Sequence, residues 1–402
     1  EFRILRYKEG GGCLNFCHTG AVFSARNVAA ICSANDQDKS DNLRAIGYKG
    51  IGFKTVFRFN DRAEVRSGEF GFAFDRKTQE IKDGVRWRTT PCWVYPKVRD
   101  GYRVDIRLVP HDSEKLGEGS QSYCHQLKKL FEDEKPLLFI PHLRCVRLYL
   151  DDWDRPIIRR AKSEDWCRST QYVENVTPTI REMINDALKD TEHCRIPPKD
   201  GNLEKTAVSF ACRRQGRRLL LEDKANLYCY LPAKDAQWGF KFLMNTDMIP
   251  NGPRNDIEYS LEVNKYFAKV AGGKFFEWID SLIRSGQYEY DSIFALIPDF
   301  EECIKCRNEK IIEFIKEFQG GFEEKLPQLQ IPSSNKRLVS VSSIIHDTTG
   351  ILAEMGESVW GHLGIELEIV DSSLRDSIPF AAFCKAYKER LGIKEFGVDD
   401  LL

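Results

Sequence analysis

Between residues 47 and 67 the sequence reads GYKGIGFKTVFRFNDRAEVRS, and its three glycines, Gly47, Gly50 and Gly52, constrain the fold more than any other feature. A glycine inside a helix or strand costs about 0.5–1 kcal/mol relative to alanine, so such a cluster marks a turn. A Gly-x-x-Gly-x-Gly turn ahead of an apolar, helix-like run lets backbone N–H groups converge on one point with no side chain in the way. Joined to a helix N-terminus, it makes an anion site suited to phosphates. Lys49 and Lys54 flank it and add point charges. The Gly-Lys-Ser/Thr ending of a Walker loop is missing, and a polar stretch precedes the turn where a dinucleotide fingerprint has a strand. A tight loop that needs positive φ is the plain alternative.

The surroundings of the turn read as an α+β layer. EFRILRYKEGGGCLNFCHTG predicts two strands joined by a glycine-rich hairpin, and SARNVAAICS a short helix with a serine cap. ANDQDKSDNLRAI, residues 34 to 46, is a polar loop. AEVRS, FGFAFD, VRWRTT and YRVDIRLV read as strands, SQSYCHQLKKLFEDE as a helix and HLRCVRLYL as a further strand. A second block predicts a helix at TPTIREMINDALKD. Strands follow at TAVSFACRR, RLLLED, NLYCYLPA and GFKFLMN, then a long helix over 259–285. From about residue 290 the chain reads as mostly helical.

These elements predict three domains: 1–150 carrying the glycine turn, a mixed α/β middle domain over 151–288, and a mostly helical region over 289–402. Apolar and charged fractions of 42% and 30% are those of a globular chain with ample core. Basic and acidic residues balance at 60 against 61, which argues against a nucleic-acid partner gathered by overall charge. Thirteen cysteines scattered over 402 residues fit buried thiols in a reducing compartment, cytoplasmic or nuclear. No leader and no apolar run of about 18 residues is present, so no membrane partner is expected.

Taken together, LNFCHTGAVFS, the short helix, the polar loop, GYKGIGFKTVF and DRAEVRS resemble the GHKL nucleotide-binding superfamily of gyrase, the ninety-kilodalton chaperones, histidine kinases and MutL. The wording IGYKGIGFKTVFRFNDRAEVRSGEFGFAFD is most similar to its divergent sacsin and NO VEIN-like branch. PLLFIPHLRCVRL and LYCYLPAKDAQWGFKFLMNTDMIPNGPRNDI extend the likeness to about residue 285. The resemblance implies a chaperone-like ATP-binding module, an ATP-binding α/β sandwich followed by a transducer-like middle domain, with ATP and Mg²⁺ as cofactors and an unidentified protein partner.

By that resemblance residues 34–46 would be the lid. Gly47, Tyr48, Lys49, Gly50, Ile51, Gly52, Phe53 and Lys54 would hold the triphosphate, and Gly20 would sit where adenine is read. Two residues before that glycine the family has Asp, accepting from the adenine amine; this chain has His18, which can accept one hydrogen bond when neutral. In the family the Mg²⁺-binding Asn and the water-activating Glu lie on a helix ahead of the first strand, hence before Glu1, so neither is assigned and no metal ligand is named. Glu182, Asn185 and Asp186 in REMINDALKD echo that motif after the glycine turn, on a helix with an apolar face. The strand that usually supplies a threonine to the phosphates offers Val104 and Asp105. Arg254 in NGPRNDI matches the family's basic residue that steadies the γ-phosphate, and is the candidate catalytic residue of an ATP hydrolase; an ion pair with Asp256 or Glu258 is the alternative.

Weaker signals remain. Cys303-x-x-Cys306 is half of a zinc spacing, with His346 forty residues on. Arg213, Arg214, Arg217 and Arg218 bunch around Gly216, as a nucleic-acid contact or a solvated hairpin tip. Three functions stay open: an ATP-driven conformational module, a scaffold of the same fold without nucleotide, and a nucleic-acid-handling protein.

Overall fold

The computed structural model describes residues 1–7, 11–32, 53–82, 84–132, 134–140, 143, 145–150, 155–159, 164–174, 205–305, 307–355 and 368–397. It divides the chain into two compact units, Glu1–Ala161 with Ile184–Leu203, and Lys162–Met183 with Glu204–Leu402. The chain is α+β, with a large mixed sheet in each unit and a mainly helical C-terminal region.

In the first unit β1 (Phe2–Arg6) and β2 (Gly12–His18) form the expected hairpin, Ile4 opposite Leu14. With β3 (Asn60–Ser67), β4 (Phe70–Asp75), β5 (Cys92–Trp93), β6 (Val104–Pro110), β7 (Val146–Leu150) and β8 (Ile157–Arg159) they make an eight-stranded sheet in the order β5-β4-β3-β6-β2-β1-β7-β8. All its neighbours run antiparallel except β1 and β7. Strict alternation sorts the two faces. Ala63, Val65, Phe72 and Phe74 point into one cluster with Phe57 and Trp87, against which Phe23, Val28 and Ile31 pack from around α1 (Ala25–Cys32). Helix α2 (Arg76–Ile81) follows β4 directly, capped by the Asp75 carboxylate, which accepts from the Lys77 amide. Under α3 (Tyr123–Glu132) a second cluster gathers Ile4, Leu14, Leu127 and Leu148. On the opposite face Asn15 donates to the buried Asp105 at 2.5 Å, and Glu64 pairs with Arg62 and Arg66.

Residues 85–90, VRWRTT, read as a strand but fold as turns: the amides of Thr89 and Thr90 both donate to the Arg86 carbonyl at 2.9 Å. Trp87 is the reason. Its ring goes into the core edge-on to Phe57 at a centroid distance of 5.1 Å, so one large side chain anchors the segment where a strand would bury alternate residues.

In the second unit β9 (Trp166–Glu174), β10 (Lys205–Gln215), β11 (Arg218–Leu220), β12 (Leu227–Cys229), β13 (Leu231–Ala233) and β14 (Leu243–Asn245) share one sheet, with β9, β11 and β14 all pairing with β10. NLYCYLPA, expected as one strand, reverses at Tyr230, which takes φ 63° and lets Cys229 face Leu231 across β12 and β13. The long helix α4 (Glu262–Ser285) packs along α5 (Glu309–Lys325) through an aromatic core. Phe242 stacks on Phe275 at 4.5 Å and Phe210 on Trp278 at 5.2 Å, with Phe314, Phe318 and Phe322 supplied by α5. Gly272 and Gly321 make the crossing possible. A Cβ at Gly272 would collide with the Phe318 carbonyl, and one at Gly321 with the Lys269 carbonyl, so the two backbones touch where no side chain fits. Four short strands between α5 and α6 (Ile378–Leu391), with one at Lys394–Phe396 just after α6, form two small sheets.

Candidate nucleotide site

At the end of β2 the chain turns through residues 19–24 into α1. The Gly20 amide donates to His18 Nδ1 at 3.1 Å, which fixes the ring. Burial holds the His18 imidazole below its ordinary value of 6.5, so it is neutral. With Nδ1 accepting, the proton sits on Nε2, and His18 offers a donor. That departs from the acceptor expected of it, because the adenine amine is itself a donor. A ring nitrogen of a base, which accepts, fits the group as held. The turn is closed by Phe23, whose amide donates to Ser67 Oγ at 2.8 Å, and by Ser24, whose hydroxyl oxygen accepts from the Asn27 amide at the start of α1.

On the other side of the turn, Phe53–Arg58 form one short 3₁₀ stretch where a helix was expected. Phe53 packs on the cluster around Phe57 and Phe74, and so does Cys32, so both residues that flank 33–52 rest on one core. Lys54 turns inward. Its ammonium donates to the carbonyls of Ile31 and of Arg88, the latter at 2.9 Å, and lies 5.2 Å from the Phe74 ring centroid. Burial lowers its proton affinity below the ordinary lysine value. Lys54 thus ties α1 to the turn after Trp87, a role in holding the site together. Gly47, Tyr48, Lys49, Gly50, Ile51 and Gly52, like the polar stretch 34–46, lie outside the described residues.

Asp105, in the strand that would carry the phosphate-side threonine, is 1% exposed and engaged by Asn15 and Arg107, while Val104 is fully buried. The structure therefore gives this strand no hydroxyl and turns its carboxylate into a buried polar network.

In the second unit Arg254 sits at φ 61°, a conformation non-glycine residues seldom adopt. Its amide donates to the Asn251 carbonyl at 3.1 Å, and Asn251 and Asn255 bond each other side chain to side chain at 2.9 Å. Nearby, Asp247 accepts from the Tyr230 hydroxyl at 2.8 Å and the Ala207 amide at 3.1 Å. Positive φ at both Tyr230 and Arg254 is a local strain that sequence reasoning missed at both positions.

The described part of the other sequence signals takes structural roles. Around Gly216 a hairpin forms, in which Arg213 lies 4.9 Å from the Trp166 ring centroid, Arg214 donates to the Glu164 carbonyl and Arg217 to the Gly286 carbonyl. Cys303 is buried against Gly239, and Cys306 lies outside the described residues. Among the described residues no group of three or more His, Cys, Asp or Glu side chains is placed to hold a metal, and no helix is long and apolar enough to cross a membrane. Residues 182–188 are outside the described residues.

No family model matches the chain. It is similar to Protein NO VEIN of Arabidopsis thaliana, with 21% identity over 432 residues that take in 94% of this chain. The chain spans 14% of the length of that relative. Among solved structures it has a faint likeness to the 43K ATPase domain of Thermus thermophilus gyrase B in complex with an aminocoumarin. The TM-score is 0.30 and the identity 10%, over 82% of this chain and 80% of that one, too weak to define a shared fold.

Proposed function

We propose that the chain is an ATP-binding conformational module of the GHKL type. Nucleotide would be held at the end of β2 and by the glycine turn, and closure of residues 34–46 over it would be passed to the following segment. The observation that carries this reading is the Gly47–Gly50–Gly52 spacing directly ahead of the 3₁₀ stretch, in a layer where both flanks of 33–52 rest on one core. Similarity to NO VEIN over nearly the whole chain fits it. Within this reading His18 donates to a ring nitrogen of the base, the amides of the glycine turn receive the phosphates, and Lys49 adds charge. ATP bound with Mg²⁺ supplies the energy-bearing phosphoanhydride. Arg254 is the proposed catalytic cation.

A second reading has its own support. Lys54 spends its ammonium and His18 its ring acceptor on backbone groups, as they would in a scaffold of this fold that binds protein partners without nucleotide. Calorimetric titration of ATP with Mg²⁺ separates the two. Saturable binding that disappears in Gly50→Val and Gly52→Val, with both variants still folded by circular dichroism, is expected of the ATP module. No heat of binding, or binding indifferent to both substitutions, rejects it.

A further inference from the structure

An open cavity of about 1010 Å³ lies in the first unit, between the 3₁₀ stretch, α2 and the turn at 84–89. Four arginines line it: Arg58, Arg76, Arg86 and Arg88. Asp61 is the one carboxylate among the described lining residues, and it already pairs with Arg76 at 3.3 Å. Among the described residues no carboxylate pairs with Arg58, Arg86 or Arg88. Two of them rest on aromatic faces, Arg58 at 5.2 Å from the Phe59 centroid and Arg88 at 5.4 Å from that of Trp87.

Elsewhere in the first unit arginines such as Arg3, Arg62 and Arg66 have carboxylate partners. Three unneutralised guanidiniums around one cavity repel one another, and an anion among them relieves that repulsion. All the described cations that line it are arginine. The guanidinium fork matches two oxygens of a phosphate at once, where a lysine would supply only a point charge. In volume the cavity matches the upper end of small-molecule sites, about 300–1,000 Å³.

We propose that this cavity binds a small ligand carrying two or more closely spaced phosphate groups. A nucleic-acid strand presents the same chemistry, but its cations would follow a stripe along the surface, whereas these converge on one cavity. Its described lining takes in none of His18, Gly20, Phe53 and Lys54, so the inference stands apart from the nucleotide reading above.

Titration of inorganic tripolyphosphate into the full chain tests it. The expected result is saturable binding that weakens as salt rises. Arg86→Gln combined with Arg88→Gln should weaken it about tenfold or more, as loss of charge-assisted phosphate contacts does. Arg58→Gln alone is an independent variant should the double one fail to fold, and should weaken binding in the same direction. The same titrations run in a Gly50→Val background, where the glycine turn is blocked, should still show saturable binding that the arginine substitutions weaken, which separates this proposal from the ATP reading. Absence of saturable binding overturns the proposal, as does binding that is lost in Gly50→Val yet untouched by the arginine substitutions. Tighter binding of a single-stranded oligonucleotide of about 12 nucleotides through the same arginines would reject the small ligand in favour of a strand.

Discussion

At the scale of single residues, the informative contact is the short one between His18 and Gly20. The sequence located the turn because His18 and Gly20 end an alternating strand, but it could not locate the proton. That depends on the Gly20 amide reaching Nδ1, a product of the backbone turn and of nothing in the residue types. The contact has a pH consequence. Burial lowers the folded-state proton affinity of His18 below the ordinary 6.5. As pH falls through 6.5 the unfolded chain takes up a proton that the folded chain resists, so this stabilisation is present above 6.5 and lost below it. His18→Asn keeps an oxygen able to accept from Gly20 and removes the titration. Urea midpoints measured between about pH 7.5 and about pH 5.5 should therefore fall more for the parent than for His18→Asn. Equal falls would show that the imidazole is as solvated in the folded chain as in the unfolded one.

At the scale of elements, the helices and strands with a clear period were legible and the segments held by one large side chain were not. The hairpin of β1 and β2, the β3–β4 pair and α4 follow their apolar spacing. Residues 85–90 alternate as a strand would, yet Trp87 outweighs the pattern because burying one indole removes more apolar surface than the small alternating residues offer. That failure also concealed the arginine cavity, since Arg86 and Arg88 share it with Arg58 and Arg76 only because the segment turns. The α4–α5 crossing makes an element-scale prediction with its own control. Gly272→Ala forces a methyl into the Phe318 carbonyl, an overpacking cost of about 1–3 kcal/mol, against a helix-propensity gain of about 0.5–1 kcal/mol. Gly320→Ala, in the same α5 but with nothing within 4 Å of the added carbon, keeps only the gain. Urea unfolding should show Gly272→Ala less stable than the parent and Gly320→Ala slightly more stable. Both variants shifting the same way would mean that the helices do not meet at Gly272.

For the molecule as a whole the cysteines give the broadest readout, because they occur in both units and the eleven described ones are free thiols, none of them exposed. The sequence suggested buried thiols from scatter alone; which ones stay inert depends on packing. Burial pushes Cys17 and Cys303 up to about 11, and Cys229 and Cys384 up to about 12, so near neutral pH these carry almost no thiolate. Cys167 goes the other way. It faces Cys212 directly across β9 and β10, and hydrogen bonding from the Cys212 thiol, with Tyr288 and Trp278 adding to it, favours its thiolate. Both are buried, so access limits the reaction and the reagent must be small. Brief iodoacetamide treatment of the native protein, read by peptide mass spectrometry, should label the partly exposed Cys32, Cys92, Cys145 and Cys229 by access, with Cys229 slowed by its raised affinity for a proton. Among the buried cysteines Cys167 should react first. Between about pH 9 and about pH 7 its labelling should fall less steeply than that of Cys17 or Cys384, because a thiol held below its ordinary value stays ionised to lower pH. Cys212→Ser keeps a hydroxyl donor and should preserve that shallow dependence, whereas Cys212→Ala removes the donor and should steepen it. A Cys167 that labels no faster than Cys384, or whose pH dependence ignores the Cys212→Ala change, would show that the two strands do not bring the thiols into contact.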